Sequence, residues 1–521
     1  MNRRVVAALV LLAVLGLGLR LPKLALRPMH NDEGVNAMKF RALWVDNNYK
    51  YDPNEFHGPT LPYFTLPSAL LSGARDFNQF GEATYRAVPA IFGVGLILLM
   101  LLLPDFGKTE TLWAAALITI SPAMVFYSRY YIHEMLLVFF TALTFFASWR
   151  YAGTGKWIWA LTAGIGLGLM AATKETFVFA VAALVLAVVS SAAWTRLRGV
   201  KTNEGPLQWR GKWSHIVVAL LTALAVVAVF FSSFFTNAAG LIDAVRTYIP
   251  WIRRAGGQTI HAHSWVFYFH RLIWFRNAGG PVGTEVFIAI LAMIGFFVAL
   301  FGPPRLFPRL LAFYTFWLTL IYTGLAYKTP WCLLGFYHGA ILLAGIGAAS
   351  ILRAAKSTPI KAVAVLALLI GTAQLGWQTW RENFGTDHAG VAYCSSPKNP
   401  YVYSQTSPDV LQLVNTVDAI AHVSTNGYNT EVEVMAPQSY WPLPWYLRRF
   451  TRAGYWDEIP KQSLAPIMIV STDLHAAFDE RPGKTHLMAG FYQLRPNVFM
   501  ELYVAVPLWS AYVKTLPPEK D

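Results

Sequence analysis

Eleven apolar runs of about 20 residues each constrain this chain more than any other feature of its sequence. About 20 apolar residues are needed for a helix to cross the hydrocarbon core of a bilayer. Inside that core each backbone polar group must be paired within its own segment, which favours helices. The sequence therefore predicts a polytopic α-helical membrane protein, with runs near 4–21, 87–103, 111–127, 132–149, 157–172, 175–194, 214–235, 283–302, 309–327, 331–351 and 360–378.

Charged residues are scarce, at 13% of the chain, yet the net charge is +14. Much of the basic excess lies in Arg3 and Arg4 and in the segments 195–213, 303–309 and 353–361. Such a bias marks the cytoplasmic ends of membrane helices, so the charge does not favour nucleic-acid binding. Alternating crossings then place the loops 22–86 and 236–282, and everything after 380, on the extracytoplasmic side.

Residues 380–521 differ in character from the rest. The apolar runs shorten to strand length at 432–436, 466–472 and 500–506, and residues 407–423 combine an N-cap signal with helical spacing. About 140 residues suffice for one soluble domain. We therefore predict two parts: a transmembrane module at 1–379, and a soluble extracytoplasmic α/β domain at 380–521.

The predicted topology brings ionisable residues from distant segments to the extracytoplasmic face. Such groups near membrane depth are costly and are usually functional, although single charges at helix ends also serve solubility and anchoring. The set comprises Asp32, Glu33, His57, Arg86, Arg129, His133, Glu134, Lys174, Glu175 and Lys328.

Two adjacent acids, Asp32 and Glu33, follow the first apolar run, at the start of a predicted interfacial helix over 33–45. Acids at a helix start are also favoured simply by the helix dipole. A carboxylate in low dielectric beside a second acid has a raised proton affinity, which suits a general base. The same oxygens would suit a hard divalent cation, with His57 as a further candidate ligand.

Cationic residues supply the complementary charge. Arg129 and His133 are spaced to share a helical face, and tyrosines flank the arginine, an arrangement that suits a phosphate anchor or a contact with lipid headgroups. Arg86 and Lys174 are further phosphate candidates. A lone loop histidine such as His57 is equally consistent with a structural role. No Walker A, GxGxxG, HExxH or paired CxxC motif occurs, so nucleotide hydrolysis, dinucleotide redox chemistry and zinc-protease chemistry lack support.

Several motifs together resemble a known superfamily. They are "NDEG" (31–34) after the first run, "HGP" (57–59), "YRAVPA" (85–90), "SRYYIHEMLLVFF" (128–140) and "YKTPWCLLGF" (327–336). This pattern resembles the GT-C-fold glycosyltransferases of the dolichyl-phosphate-mannose–protein mannosyltransferase superfamily. The tail motif "YWPLPWYLRR" (440–449) is similar to a prokaryotic subgroup that includes proteins labelled as flippase-associated.

The resemblance implies an inverting transfer of a sugar from a polyprenyl-phosphate donor, loaded from the membrane, to a protein, glycan or lipid acceptor. It makes Asp32 the catalytic aspartate with Glu33 as its neighbour, and Arg86 and Arg129 contacts of the donor phosphate. We expect Asp32 to act as the base, and Glu33 to assist it or to serve as a helix-start charge. His57 resembles a histidine of the family's His-Pro loop, although Gly58 separates it from Pro59 here. Some relatives use a divalent metal and others do not, so metal dependence stays open.

We expect Lys174 to assist at the donor phosphate, and His57, His133, Glu134 and Glu175 to contact the substrate. The alternatives are a transporter or flippase for lipid-linked sugars, or a sugar-lipid-binding scaffold without activity. A transport path would need polar residues at the bilayer midplane, and segments such as 91–103 and 181–190 carry almost none. From the apolar runs and the charge bias of the loops, we expect the protein in the cell membrane, with the catalytic face outside the cytoplasm.

Overall fold

A computed structural model describes residues 2–54, 57–198, 211–255, 261–387, 390–461 and 464–517. Most of the predicted basic loop 195–213, and residues 256–260 of the loop 236–282, lie outside the described residues. The helices before the C-terminal region are α1 (Arg3–Arg20), α2 (Asn31–Trp44), α3 (Thr60–Leu71), α4 (Glu82–Leu99), α5 (Lys108–Ile120), α6 (Pro122–Ser128), α7 (Glu134–Thr154), α8 (Trp157–Ala171), α9 (Phe177–Leu197), α10 (Trp213–Phe231), α11 (Gly240–Arg246), α12 (Tyr248–Ala255), α13 (Phe267–Ile273), α14 (Val286–Phe301), α15 (Leu306–Gly324), α16 (Leu334–Ala354) and α17 (Thr358–Phe384).

Ten of the eleven apolar runs form one helix each and the run 111–127 forms two, α5 and α6, with ends within about six residues of the predicted ones. Among the described residues, seven helices are long and apolar enough to cross a membrane, and α5 and α6, bent by 56° to each other, reach that length and apolarity only together. Pro122 starts α6 at this bend, where its ring cannot continue the hydrogen bonding of α5. The three remaining runs are α1, which carries arginines at both ends, and the shorter α8 and α14. The predicted class of polytopic helical membrane protein is confirmed.

Burial distinguishes central from peripheral helices. The span that contains α16 has 83% of its apolar window buried inside the protein, whereas α10 and α17 have 11% each. The apolar side chains of α10 and α17 therefore face outwards, as expected for helices that lipid covers. Gly295 and Gly347 let α14 and α16 touch, since a Cβ at either position would overlap a backbone carbonyl of the other helix.

A buried carboxylate forms ion pairs with partly exposed arginines at one end of the bundle. Glu110, at the start of α5, lies 2.6 Å from Arg353 at the end of α16 and 3.6 Å from Arg305, which precedes α15. The segments 303–309 and 353–361, which the charge bias assigned to one side, therefore meet at one end, together with the start of α5. The loops that carry Asp32, His57 and Lys174 meet at the opposite end.

Helix α2 differs from its prediction in the face that it buries. The sequence indicated an apolar stripe of Val35, Met38, Ala42 and Val45, but none of these four is fully buried. The buried positions are Glu33, Gly34, Asn36, Ala37 and Phe40. Phe40 packs edge-on to Phe80 and Tyr85, so α2 is held against protein and its composition reflects that contact.

The C-terminal region forms the predicted α/β structure around a five-stranded sheet of order β2-β1-β3-β5-β4. Strand β1 pairs in parallel with β2 and β3, and β5 pairs antiparallel with β3 and β4. Helices α18 and α20 share a core with one face of this sheet. The elements are α18 (Asp409–Val423), β1 (Val432–Met435), α19 (Leu443–Tyr446), β2 (Ala453–Trp456), β3 (Ile467–Ser471), β4 (His486–Arg495), β5 (Val498–Ala505) and α20 (Val506–Val513).

A buried carboxylate fastens this region to the helices. Glu285, before α14, accepts hydrogen bonds from the hydroxyls of Ser121, Tyr337 and Tyr401 at 2.6–2.7 Å. The backbone N–H of Ala123 donates to the same carboxylate at 2.9 Å. Because Tyr401 belongs to the segment that leads into the sheet, Glu285 joins three helices to the C-terminal region at the end that carries Asp32.

Candidate functional site

A cavity of about 250 Å³ opens at the end of the bundle that carries Asp32. The polar lining includes Asp32, Asn36, Lys39, His57, Lys174, Glu175 and Thr176. The aromatic and aliphatic lining includes Phe179, Trp251, Tyr322, Leu325, Tyr327 and Trp331. The cavity is therefore amphiphilic and carries both signs of charge.

Backbone pairing brings His57 to Lys174. The N–H of Gly58 donates to the carbonyl of Thr173 at 3.1 Å, and the N–H of Thr60 donates to the carbonyl of Ala172 at 3.2 Å. A Cβ at position 58 would lie 2.1 Å from the oxygen of Ala172, so only glycine permits this approach. The "HGP" turn therefore serves to dock one loop onto the turn between α8 and α9.

Asp32 stands in the first turn of α2, with 39% of its side chain exposed. The helix begins with a capping box, in which the Nδ1 atom of His30 accepts from the Asp32 N–H at 3.2 Å and Glu33 accepts from the His30 N–H at 2.9 Å. Burial lowers the pKa of His30, which keeps the ring neutral and able to accept. The carboxylate of Asp32 faces the cavity and accepts from the Asn31 amide at 3.3 Å.

Glu33 is fully buried and has no part in the cavity. Its two oxygens accept hydrogen bonds from the Nε and Nη2 atoms of Arg86 at 2.7 Å each, and Arg27 forms an ion pair with Glu33 at 3.3 Å. Burial alone would raise the pKa of Glu33, but the two arginines lower it to about 2. The structure thus corrects the expectation that Glu33 assists catalysis: its carboxylate is the counter-ion of a buried arginine pair.

Arg86 and Arg129 were expected to contact a donor phosphate, and the structure places both outside the cavity. Arg86 is fully buried and donates to Glu33 and to the carbonyls of Leu24, Arg27 and Pro28. Arg129 donates to the carbonyls of Arg20, Pro22 and Lys23 at the end of α1. Both guanidinium groups therefore shape the loop that precedes α2. Lys328, also outside the cavity, donates to the carbonyls of His263 and Leu325.

Two histidines and an acid form a second group beside Lys174. The Nδ1 atom of His57 lies 3.3 Å from a carboxylate oxygen of Glu175, and both residues line the cavity. The His133 ring lies 4.9 Å from the His57 ring, and its Nε2 atom donates to the carbonyl of Gly58 at 3.1 Å. Burial, reinforced by the charge of neighbouring cations, holds the pKa of His133 well below its usual range. His133 therefore supports the Gly58 turn without lining the cavity.

Lys174 is the cation best placed for a ligand at the junction of polar and apolar surroundings. Its ammonium group forms an ion pair with Glu134. Burial alone would lower the pKa of Lys174, but the Glu134 carboxylate raises it above the ordinary value, so the group stays charged. From this pair a narrow crevice of about 30 Å³ continues between α7, α15 and α16, with mostly apolar walls.

Several residues that line the cavity were not predicted from the sequence. Asn36 and Lys39 lie four and seven positions after Asp32, so all three share one face of α2, and this helical spacing was the signal available. Trp251 of α12 and Tyr322 of α15 also line the cavity, and both lie near Phe179, with ring centroids 5.5 and 5.6 Å from it. No local pattern marks these two residues, because only helix packing brings them to the site.

The residues proposed to hold a metal do not fit one. Of the candidates Asp32, Glu33 and His57, Glu33 turns away from the cavity and gives both oxygens to arginine. Within the ranges that the structure describes, no three His, Cys, Asp or Glu side chains are grouped as metal ligands. We therefore derive no step through a metal.

Comparisons with known proteins agree with this architecture. Residues 62–241 match the profile of the family described as dolichyl-phosphate-mannose-protein mannosyltransferase. Over 235 residues, 41% of the chain, it is 23% identical to dolichyl-phosphate-mannose–protein mannosyltransferase 4 of Candida albicans. That match spans 31% of the length of the curated relative.

Two crystal structures of ArnT from Cupriavidus metallidurans share the fold along nearly the whole chain. The TM-scores are 0.62 for the form bound to undecaprenyl phosphate and 0.63 for the apo form, at 14% identity. Each comparison covers 96% of this chain and 98% of ArnT. The chain is therefore a multi-pass membrane protein that has the GT-C fold. The profile match and the curated relative confirm the predicted resemblance to the dolichyl-phosphate-mannose–protein mannosyltransferase superfamily.

Proposed function

We propose that this protein is a membrane glycosyltransferase that uses a polyprenyl-phosphate-linked sugar as its donor. The acceptor is a hydroxyl of a protein, glycan or lipid, and transfer takes place at the extracytoplasmic face. The observation that carries the proposal is the placement of the Asp32 carboxylate and the Lys174 ammonium in one amphiphilic cavity. The GT-C fold supports it, as does the curated relative, whose name describes a dolichyl-phosphate-mannose donor.

The cavity matches the chemistry of such a donor. A sugar–phosphate–lipid diester has one negative charge, a polar sugar and an apolar chain. Lys174, with Lys39 on the neighbouring helix, offers positive charge to the phosphate. Trp251 and Tyr322 offer flat apolar surfaces for a sugar ring or for the first prenyl units.

Asp32 is the base in this proposal. It accepts the proton of the acceptor hydroxyl as the oxygen attacks the anomeric carbon. The bond from that carbon to the phosphate oxygen breaks, and Lys174 stabilises the polyprenyl phosphate that leaves. Attack opposite the leaving group inverts the anomeric centre. The pair of His57 and Glu175 borders the same space and is proposed to contact the sugar.

The division of labour along the chain is also part of the proposal. Residues 1–379 form the transmembrane catalytic module, and residues 380–521 form a soluble extracytoplasmic domain that presents the acceptor. Glu285 and Tyr401, which join the two, lie at the same end of the bundle as the cavity. Acceptors that reach the cavity would therefore pass the C-terminal region.

The test uses purified full-length protein in detergent, undecaprenyl-phosphate-[³H]mannose as donor, and solubilised membrane proteins and lipids as the acceptor pool. We expect transfer by the wild type and a loss of about 100-fold or more in Asp32→Asn, since general acid–base catalysis contributes about 10²–10⁴-fold. Asp46→Asn is the matched control, because Asp46 follows the same helix at its far end and lies 3.9 Å from Arg41.

Measurements of lipid binding and of transfer together distinguish an enzyme from a scaffold and from a flippase. Native mass spectrometry with undecaprenyl phosphate measures donor-site occupancy without turnover. Occupancy by the wild type together with the loss of transfer in Asp32→Asn supports the enzyme. Lipid binding without transfer or sugar release, for this donor and for pentose and hexosamine analogues, refutes it and favours a scaffold. Movement of the intact donor across a proteoliposome bilayer without transfer indicates a flippase.

A further inference from the structure

The connection between β1 and β2 reaches from the sheet to the helix that carries Asp32. Pro442 packs on Gly34 of α2 so closely that a Cβ at position 34 would lie 2.8 Å from the Pro442 Cβ atom. The hydroxyl of Tyr446 accepts from the Met29 N–H at 2.8 Å and donates to Glu82 at 3.2 Å. The C-terminal region therefore packs against the first turn of α2, on the side away from the cavity.

A chain of hydrogen bonds continues from this contact to the Asp32 carboxylate. The hydroxyl of Ser439 donates to Asn31 Oδ1 at 3.1 Å, and Asn31 Nδ2 donates to Asp32 Oδ1 at 3.3 Å. Arg495, at the end of β4, holds the Ser439 turn by donating to the carbonyls of Ser439 at 2.9 Å and Trp441 at 3.3 Å. The direction of each bond is fixed, because the oxygen of the Asn31 amide can only accept and its nitrogen can only donate. The oxygen accepts from Ser439, and the nitrogen donates to Asp32.

We propose that Ser439 and Asn31 are positioning residues that fix the Asp32 carboxylate in the cavity. The inference rests on the proposed function of Asp32 as the base. An aspartate with 39% of its side chain exposed samples several rotamers, and only some of them point towards an acceptor. The Asn31 amide selects one of these rotamers, and Ser439 fixes that amide. Part of the catalytic geometry is thus set by the C-terminal region.

The hydrogen-bond chain from Ser439 through Asn31 to Asp32 predicts how single and double substitutions change kcat. Ser439→Ala is expected to lower kcat about fivefold, the factor that corresponds to one neutral hydrogen bond of about 1 kcal/mol. Asn31→Leu is expected to lower kcat further, because it removes the bond to Asp32 itself. The double variant should be no slower than Asn31→Leu alone, since Ser439 acts through Asn31. The KM for undecaprenyl-phosphate mannose should stay within about twofold in all three, because neither residue lines the cavity.

Two further variants make the test specific. Ser439→Thr keeps the hydroxyl and should restore most of the rate. Thr451→Val is the matched control, because Thr451 donates to an asparagine oxygen at 2.6 Å within the same region, without contact to α2. Its kcat should equal that of the wild type. Additive losses in the Ser439 and Asn31 pair, or an equal loss in Thr451→Val, would overturn the inference.

Hydrogen exchange of the peptide over residues 28–36 gives a readout that does not depend on turnover. Faster exchange in Ser439→Ala than in Thr451→Val supports the contact with α2. If the wild type transfers no sugar, the proposed function fails while this measurement still decides whether the contact holds. If exchange and kcat in Ser439→Ala both match the wild type, the positioning role is refuted.

Discussion

Replacing Glu33 with glutamine separates the two acids that stand side by side in the sequence. The substitution keeps the size of the side chain and removes the charge that faces Arg86 and Arg27. One carboxylate oxygen becomes an amide nitrogen, so two N–H donors then face each other across a contact of 2.7 Å. Both arginines are buried and would lose their only carboxylate contact within the described residues.

The expected cost follows from this geometry. Removing one partner of a buried ion pair costs about 3–5 kcal/mol, because the remaining charge stays desolvated and uncompensated. Glu33→Gln should therefore lower the melting temperature in detergent, followed by tryptophan fluorescence, by at least about 5 °C. Arg86→Lys should also destabilise, since an ammonium group cannot bind both carboxylate oxygens and three carbonyls in the same geometry.

Asp32→Asn is the comparison that gives this experiment its meaning. Asp32 is partly exposed and faces the cavity, so its substitution should change the melting temperature by no more than about 1 °C while transfer falls about 100-fold or more. If Glu33→Gln melts like the wild type, the structural role given to Glu33 is wrong. If Asp32→Asn melts far below the wild type, its loss of transfer no longer reports on catalysis.

Two further predictions concern the loops around the cavity. Gly58→Ala should lower stability by about 1–3 kcal/mol and reduce transfer, because the added Cβ would lie 2.1 Å from the Ala172 oxygen. Gly81→Ala is the control, because a Cβ added at position 81 would meet no neighbouring atom within 4 Å. Equal melting temperatures of the two variants would contradict the reasoning. The pKa of His30 is lowered by burial, so its capping of the Asp32 N–H is fully present above about pH 6.5 and is lost as the pH falls towards the lowered value. Melting temperatures between pH 7.5 and 5 should fall less steeply in His30→Asn than in the wild type, and parallel curves would refute this linkage.

Much of the fold could be predicted because lipid imposes a strict rule on the sequence. Runs long enough to cross a bilayer must be helical, and all eleven are. The C-terminal strands β1, β3 and β5 were also predicted, since buried strands appear as short apolar runs. Strand β2 was missed because it is only partly buried and half glycine and alanine, and its pairing with β1 decides its conformation.

The site was predicted in part. Charge bias placed Asp32, His57, Lys174 and Glu175 at one end of the bundle, and the structure gathers these four around one cavity. The same reasoning assigned Arg86 and Arg129 to a phosphate, because a sequence shows that a cation is near the site but not what it contacts. In the structure both guanidinium groups donate hydrogen bonds to acceptors within the protein, mainly backbone carbonyls.

The adjacent acids show where the sequence stopped and the tertiary structure decided. The sequence determined that two carboxylates begin a helix at the mouth of a membrane bundle. Successive residues of an α-helix point about 100° apart, so Asp32 and Glu33 cannot face the same surroundings. Only the packing of α2 against α4 and the C-terminal region determines which acid turns inwards to Arg86 and which faces the cavity. That choice depends on contacts with residues about 50 and 400 positions away, which no local pattern encodes.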